Sequence, residues 1–431
     1  MPPKPIGKPK GLKASKRAAP VQPTATAGPA LNKEGTMPLD EDALTVADLF
    51  ELAYRVVDIL YPLPTSLRFE PTDPETGIDD ARNLLRGVLH GCDVLEPYVD
   101  SPRRSDMDQD KLDALGLGSA VLARGYLRYL QAFALRLLGE LFEPAPSPAA
   151  VAVGDGAAKR RKVDLREPQS PQEWFDVADE RLRSVRADED PVLAVLVAAE
   201  RAHLSALGDV EPLDLEARVA ALLAALGTLA PDTADSPTSA DLTDAWYASL
   251  RALTAAVVAL EAGAPRSTES DSVPSAPLLR GDTFAELACP TPVLTWLRDV
   301  TLADELLARF GIAEDWIEAH YRAEADDDSE DGKEVAALPD EAASDVAVVQ
   351  RLGRDAITSL RSTISLMPSE GAHPSARTAQ YRKLEEALLL SSALIDPAND
   401  AALDKLEAEV ERVRKEGGLS DALSEDAVES T

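Results

Sequence analysis

The sequence predicts an all-α protein of paired helices, with a disordered basic N-terminal arm and long loops. Hydrophobic residues make up 45% of the 431 residues but aromatic residues only 4%, and alanine and leucine supply most of the apolar side chains. Alanine and leucine enter helices at low cost, whereas strands favour β-branched and aromatic residues. Apolar side chains recur at helical spacing along most of the chain, and no segment shows convincing alternation of apolar and polar residues.

The chain divides into an arm, a long helical domain and a short tail. Residues 1–38 are rich in proline, alanine, lysine and threonine without an apolar period, which predicts a disordered basic arm. A helical-repeat domain is predicted over residues 39–423, and a disordered acidic tail over 424–431. Within the domain, runs rich in Pro, Gly, Ser or acidic residues indicate loop insertions near 143–170, 264–281 and 324–342.

Amphipathic segments place the helices in order along this domain. We predict helices at 44–61, 78–99, 118–142, 170–187, 190–207, 213–230, 239–263, 292–311, 314–325, 343–368, 375–395 and 399–418. Several begin with a recognisable cap: Ser170 precedes Pro171 and Glu173 in a capping-box pattern, and Asp190 precedes Pro191. Gly417 and Gly418 supply the C-cap of the last helix.

The helices come in pairs that are separated by Pro or Asp-Pro turns. The segments on either side of Pro368 look like the second helix of one repeat and the first helix of the next in a tetratricopeptide array. The full Trp-Leu-Gly-Tyr pattern of that repeat is absent. The predicted fold is therefore a tetratricopeptide-like helical repeat in degenerate form, or a plain α-solenoid.

The charge and cysteine content exclude several classes of function. Asp and Glu number 76 against 44 Lys and Arg, which gives a net charge of −32. A surface this acidic repels phosphates, so we expect no nucleic-acid partner and favour protein partners with basic segments. The two cysteines are far apart. From the sequence we expect no secretory leader, and no apolar run is long enough to cross a bilayer. We expect a soluble, intracellular protein without a membrane partner.

No motif for catalysis, cofactor binding or metal binding stands out. His90 and Cys92 would bind a metal only together with further ligands. Because they are two residues apart, their side chains would point to different faces of a helix. No nucleophile elbow, phosphate loop or His-Glu-x-x-His spacing occurs. The prediction is a protein that is not an enzyme and holds no cofactor and no metal. The four tryptophans, Trp174, Trp246, Trp296 and Trp316, are expected in the core, although one or two exposed on a binding face remain an alternative.

Four consecutive basic residues form the most specific local signal: Lys159, Arg160, Arg161 and Lys162. Glycine and alanine precede them and Pro168 follows, which predicts an exposed, extended segment. Lys-Arg-Arg-Lys-Val resembles a classical monopartite nuclear localisation signal, which binds the import receptor importin-α. A solvated charge cluster is the alternative. The preferred prediction is a nuclear protein.

The order of these segments resembles the fungal family of enhancers of translation termination. The resemblance rests on the basic start KPIGKPKGLKASKR, on an early helix with the pattern of Gly87, Val88, Leu89, His90, Cys92, Asp93 and Leu95, and on the helical pairs that follow. It covers residues 80–140, 170–225 and 345–423, and the basic start departs from the Gly-Leu-Gly-Lys form of the family.

This resemblance implies a nuclear, non-enzymatic adaptor for translation termination and hypoxic gene expression. Such an adaptor binds and restrains a 2-oxoglutarate-dependent dioxygenase, or contacts the translation-termination machinery. The resemblance assigns no partner-binding residue. Two alternatives stay open from the sequence: a tetratricopeptide cochaperone or ribosome-assembly scaffold, and a hydrolase or transferase, which would need a deep pocket with perturbed titratable groups.

Overall fold

The structure is a computed structural model, and every regular element among its described residues is helical. This confirms the all-α prediction. The described residues are 44–61, 77–100, 109–142, 168–187, 190–208, 212–229, 239–263, 278–279, 284–322, 342–368, 374–395 and 399–419. The predicted N-terminal arm, most of the predicted loop insertions and the acidic tail lie outside them.

The helices follow the predicted order closely. They are α1 Val46–Leu60, α2 Gly77–Asp100, α3 Gln109–Ala114, α4 Ala120–Glu140, α5 Pro171–Arg183, α6 Pro191–Leu207, α7 Pro212–Leu226, α8 Ser239–Gly263, α9 Pro292–Ile317, α10 Ala343–Ser365, α11 Pro374–Ala393 and α12 Asp400–Gly417. The short helix α3 was not predicted. Among the described helices, none combines the length and mean hydropathy that crossing a bilayer requires.

The predicted caps form hydrogen bonds. The Ser170 hydroxyl accepts the Glu173 amide at 3.2 Å, while the Glu173 carboxylate accepts the amide of Gln169 at 2.6 Å. One carboxylate oxygen of Asp190 accepts the first two free amides of α6, with Pro191 at the first helical position. Gly418 ends α12 with φ at 64°, the left-handed conformation that favours glycine. These side chains satisfy amides that a helix start leaves unpaired.

The prediction of two helices at 292–311 and 314–325 is wrong. The chain runs through Gly311 as one helix, α9, which continues into a π-helical turn at Glu318–Arg322. A glycine inside a helix costs only about 1 kcal/mol relative to alanine. Phe310 and Ala313 on either side of Gly311 are fully buried, and this packing outweighs the cost.

Helices that are neighbours in sequence pack on one another, and more distant helices join them. The pairs α1 with α2, α6 with α7, and α9 with α10 lie side by side, while α4 also packs on α1 and α6, and α6 on α8. One hydrophobic core extends from Leu44 to Ala308, and two smaller clusters lie under α10, α11 and α12. All four tryptophans are buried, as the core-packing prediction required.

A buried carboxylate ties the chain before α9 to that helix. Glu305 lies in α9, is fully buried, and accepts the backbone amides of Leu278 at 2.6 Å and Leu279 at 3.2 Å. Both leucine side chains are buried in the core. Burial raises the pKa of Glu305, while the two amides act to lower it. This part of the predicted 264–281 insertion is therefore anchored in the core.

Alanine substitutions at Gly353 and Gly87 should change the free energy of unfolding in opposite directions. A Cβ atom on Gly353 would lie 2.8–3.2 Å from three ring atoms of Phe310, a side chain that is fully buried and has no room to move. We expect Gly353→Ala to lower the free energy of unfolding by about 1–3 kcal/mol, the usual cost of overpacking. No atom lies within 4 Å of a Cβ on Gly87 in α2, so Gly87→Ala should stabilise by about 0.5–1 kcal/mol. Urea unfolding measures the change in the free energy of unfolding for each variant. Two changes of the same sign would contradict this explanation.

Candidate functional site

Charged side chains meet inside the helical core where α4, α6 and α8 approach the end of α1. We call Arg136, Glu140, Glu200, His203 and Arg251 the buried charge cluster. Arg136 and Glu140 lie on α4, Glu200 and His203 on α6, and Arg251 on α8. Helices α4 and α8 both pack on α6, which brings the five side chains together.

Arg136 connects the two carboxylates of the cluster. Its Nε donates to Oε1 of Glu200 at 2.6 Å, and Nη1 pairs with Oε1 of Glu140. The side chains of Arg136 and Glu200 are only 4% and 5% exposed, so solvent does not screen this pair. The guanidinium also lies 5.4 Å from the ring centroid of Phe133. Burial acts to lower the pKa of Arg136, but Glu200 and Glu140 raise it more, and the side chain stays charged.

His203 is a buried neutral imidazole next to two cations. Burial, Arg136 and Arg251 together hold its pKa well below the ordinary value. Burial has the opposite effect on Glu140, whose pKa is raised although Arg136 acts to lower it. The cluster therefore contains groups whose pKa values differ from those of the same groups in water.

Arg251 is held by aromatic rings. Its guanidinium carbon lies 4.9 Å from the ring centroid of Tyr61 and 5.6 Å from that of Tyr247. Its Nε is shielded from solvent and has no hydrogen-bond partner in the part of the chain that the structure describes. Among the described residues no carboxylate lies within ion-pair distance of Arg251. Burial lowers its pKa, with Arg136 contributing in the same direction.

The sequence interpretation did not single out any member of this cluster as a site. Its signal is a lone charge within an apolar helical run, as in AFALRLLG around Arg136 and SLRALTA around Arg251. Charged side chains are rarely buried unless they are paired. Such isolated charges could have been identified from the sequence, but their pairing across α4, α6 and α8 requires the fold.

None of the residues considered as a candidate site at the sequence level belongs to the buried charge cluster. Lys159, Arg160, Arg161 and Lys162, the predicted import signal, lie outside the described residues. His90 is exposed on α2, whereas Cys92 is fully buried on its inner face. Burial raises the pKa of the Cys92 thiol. The two side chains do not converge.

A group of three carboxylates lies at the end of α9, in the part of the chain that the structure describes. The carboxylates of Glu314, Asp315 and Glu318 have oxygen atoms within 4.8 Å of one another. Asp315 and Glu318 are exposed to solvent. Exposed acidic groups on a helix commonly gather in this way without an ion, so we assign no metal to them.

An open groove runs between α6 and α7, next to the turn after α5. Its volume is about 590 Å³, and its walls include Val185, Pro191, Ala194, Val197, Ala198, Ala224 and Ala225. Arg201 also lines this α6–α7 groove and is anchored there, because its Nη2 donates to the carbonyl of Leu182 at 2.9 Å. Burial lowers the pKa of Arg201, and Asp179 opposes this. The groove is an apolar surface of small side chains with one fixed cation.

The chain was compared with protein-family models, with curated proteins and with solved structures. None of the three comparisons finds a match. The geometry of the described residues and the sequence itself are therefore the basis of the functional proposal.

Proposed function

We propose that this protein is a protein-binding adaptor of the tetratricopeptide-like helical-repeat type, and that it acts without catalysing a reaction. The α6–α7 groove is the observation that carries the proposal. It combines an open shape, apolar walls and a rigid base of two packed helices. Helical proteins commonly bind an amphipathic helix in such a groove.

The wall residues fit this mode of binding. Ala194 and Ala198 are one turn apart on α6, and Ala224 and Ala225 face them from α7. Their small side chains leave room for large apolar residues of a partner, spaced at i, i+3 and i+4. The net charge of −32 favours a partner helix whose polar face is basic, since opposite charges accelerate association.

A narrower form of the proposal names the partner and the compartment. The resemblance to the enhancers of translation termination makes the partner a 2-oxoglutarate-dependent dioxygenase or the termination machinery, in the nucleus. Lys159, Arg160, Arg161 and Lys162 would supply the import signal for importin-α. Alanine at all four positions of a fluorescent fusion tests this signal, and unchanged nuclear accumulation would contradict it. A cochaperone or ribosome-assembly scaffold is the alternative.

Filling the groove should weaken partner binding. Ala224 is exposed and lines the groove, so Ala224→Trp places an indole there without disturbing the core. In pull-downs from nuclear extract, we expect the wild type to recover a dioxygenase or release-factor machinery. The variant should recover at least about tenfold less of this partner, as for loss of an interface hot spot.

Ala347→Trp is the matched control, because Ala347 is also exposed on a helix but lies on α10, away from the groove. It should retain the partner. Equal recovery by the wild type and Ala224→Trp would overturn the groove as the binding surface. Recovery of chaperones alone would overturn the narrower form and support the cochaperone alternative.

A further inference from the structure

We infer that the end of α9 and the adjoining face of α11 form a docking surface for a basic peptide segment of a partner protein. The segment carries one large apolar side chain between lysine or arginine residues. An open groove of about 470 Å³ lies between the two helices, and we call it the α9–α11 groove. It is separate from the α6–α7 groove, and neither surface depends on the other. Its walls are Glu314 on α9 and a stripe of α11 that includes Glu385, Glu386, Leu389, Leu390 and Ala393.

Packing and an ion pair fix both walls of the groove. Lys383 of α11 pairs with Asp304 of α9, with its Nζ 2.5 and 2.7 Å from the two carboxylate oxygens. Leu390 packs against both of the smaller hydrophobic clusters under α10, α11 and α12. Gly311 has no side chain, and a Cβ atom there would lie 4.0 Å from Leu390, so α9 leaves space beside that leucine. A groove that is already formed binds without the cost of ordering its walls.

The floor of the groove is apolar and reaches solvent. Leu389 is 47% exposed, and among the large hydrophobic side chains that the structure describes only Leu366 is more exposed. Leu390 and Ala393 lie beside Leu389 and are half-buried. A leucine of a partner that covers this floor removes apolar surface from water on both sides. The groove also has room for the aliphatic stems of lysines next to that leucine.

Carboxylates surround this apolar floor and decide the charge of the partner. Glu386 is exposed at the rim on α11, and Glu314 forms the wall on α9. Asp315 and Glu318 are exposed, and each has an oxygen atom within 4.8 Å of one on Glu314. Four carboxylates therefore lie in or next to the groove, where they attract a cationic side chain.

The other ionic groups at the groove do not cancel this negative charge. Glu385 is already paired, because the Nε of Arg414 on α12 donates to its Oε1. Arg382 on α11 is the one cation among the described wall residues, against four carboxylates. A lysine or arginine of a docked peptide gains attraction there, and an acidic peptide is repelled. A second copy of this chain, with its net charge of −32, meets the same repulsion.

The test is the binding of a synthetic peptide, Lys-Lys-Leu-Lys-Lys with capped ends and a fluorescent label, to the full-length protein. Fluorescence anisotropy gives the dissociation constant at physiological salt, which screens attraction by distant charges. We expect saturable binding of this peptide and none of Glu-Glu-Leu-Glu-Glu. A peptide with serine in place of the leucine should bind at least about fivefold more weakly, because it leaves the apolar floor uncovered.

Two variants with matched controls locate the peptide in the groove. Glu386→Arg reverses a charge at the rim and should weaken binding about fivefold. Glu51→Arg makes the same change at an exposed position of α1 and should not weaken binding. Leu389→Ser removes the exposed apolar floor and should also weaken binding about fivefold. Leu366→Ser changes a leucine that is 60% exposed at the end of α10 and should leave binding unchanged.

Three results would overturn the inference. The first is absence of saturable binding, or losses in Glu51→Arg and Leu366→Ser as large as those in the groove variants. The second is equal binding of the serine peptide, which would remove the apolar anchor. The third is tighter peptide binding after Lys8, Lys10 and Lys13 are replaced with glutamine, which would show that the basic N-terminal arm of this chain, and not a partner, is the occupant.

Discussion

Replacing Arg136 with methionine should lower the free energy of unfolding by about 3–5 kcal/mol, the usual cost of breaking a buried ion pair from one side. Methionine roughly preserves the volume of the side chain, but it leaves Glu140 and Glu200 buried without their cation. Their side chains are only 8% and 5% exposed, so water cannot replace the guanidinium. Urea unfolding at pH 7, followed by circular dichroism, measures the loss.

Two comparisons separate this effect from general damage to α4. Adding Glu140→Gln and Glu200→Gln to Arg136→Met removes the unpaired charges and should recover most of the stability. Arg183→Met breaks the Arg183–Asp179 pair on α5, in which Arg183 is 74% exposed, and should change stability by no more than about 0.5 kcal/mol. A triple variant no more stable than Arg136→Met would show that the charge cluster is not the cause.

The stability of the protein should fall in mild acid because of His203. The folded protein holds this imidazole neutral, since its pKa is lowered by burial, Arg136 and Arg251. The unfolded chain takes up a proton near pH 6.5, the ordinary value for histidine. Below that pH the unfolded state binds more protons, and the free energy of unfolding falls by about 1.4 kcal/mol per pH unit until the folded pKa is reached. Stability from this group is therefore present above pH 6.5 and is lost as the pH falls.

Unfolding curves between pH 7.5 and pH 5 (the window in which a histidine titrates) isolate this contribution. Glu140 and Glu305 have raised pKa values and act in the opposite direction, since they stabilise less as the pH rises. The difference between the wild type and His203→Gln removes their effect, because both proteins contain them. His90→Gln, on the exposed face of α2, should leave the slope as it is. A slope that survives in His203→Gln would contradict the assignment.

The helices were predictable because their signals are local. Apolar spacing and caps such as Ser170 and Asp190 are set by residues within one or two turns, and the structure shows those caps as hydrogen bonds. The join at Gly311 was not predictable in this way. Glycine weakens a helix locally, whereas the packing of Phe310 and Ala313 that carries α9 through it is a long-range effect.

The candidate sites were less accessible to sequence reasoning. The predicted import signal at Lys159–Lys162 is a run of four adjacent charges, a pattern that is visible without knowledge of the fold. Arg136 and Glu200 are 64 positions apart in the chain, and only the packing of α4 on α6 makes them a pair. The walls of the α6–α7 groove are likewise mostly alanines and valines, which look like ordinary core residues in the sequence. The positions of the helices follow from the local sequence pattern, but the contacts between helices do not.

The bond between Glu305 and the Leu278–Leu279 backbone has a consequence for the evolution of this chain. Leu278 and Leu279, which are 27 and 26 residues before Glu305, fix the approach of the chain to α9. The two anchored leucines keep the same position relative to α9, whatever the number of residues between Gly263 and Leu278. Insertions and deletions in that interval would therefore leave the register of α9 intact, so related sequences can differ in length there while retaining one helical framework.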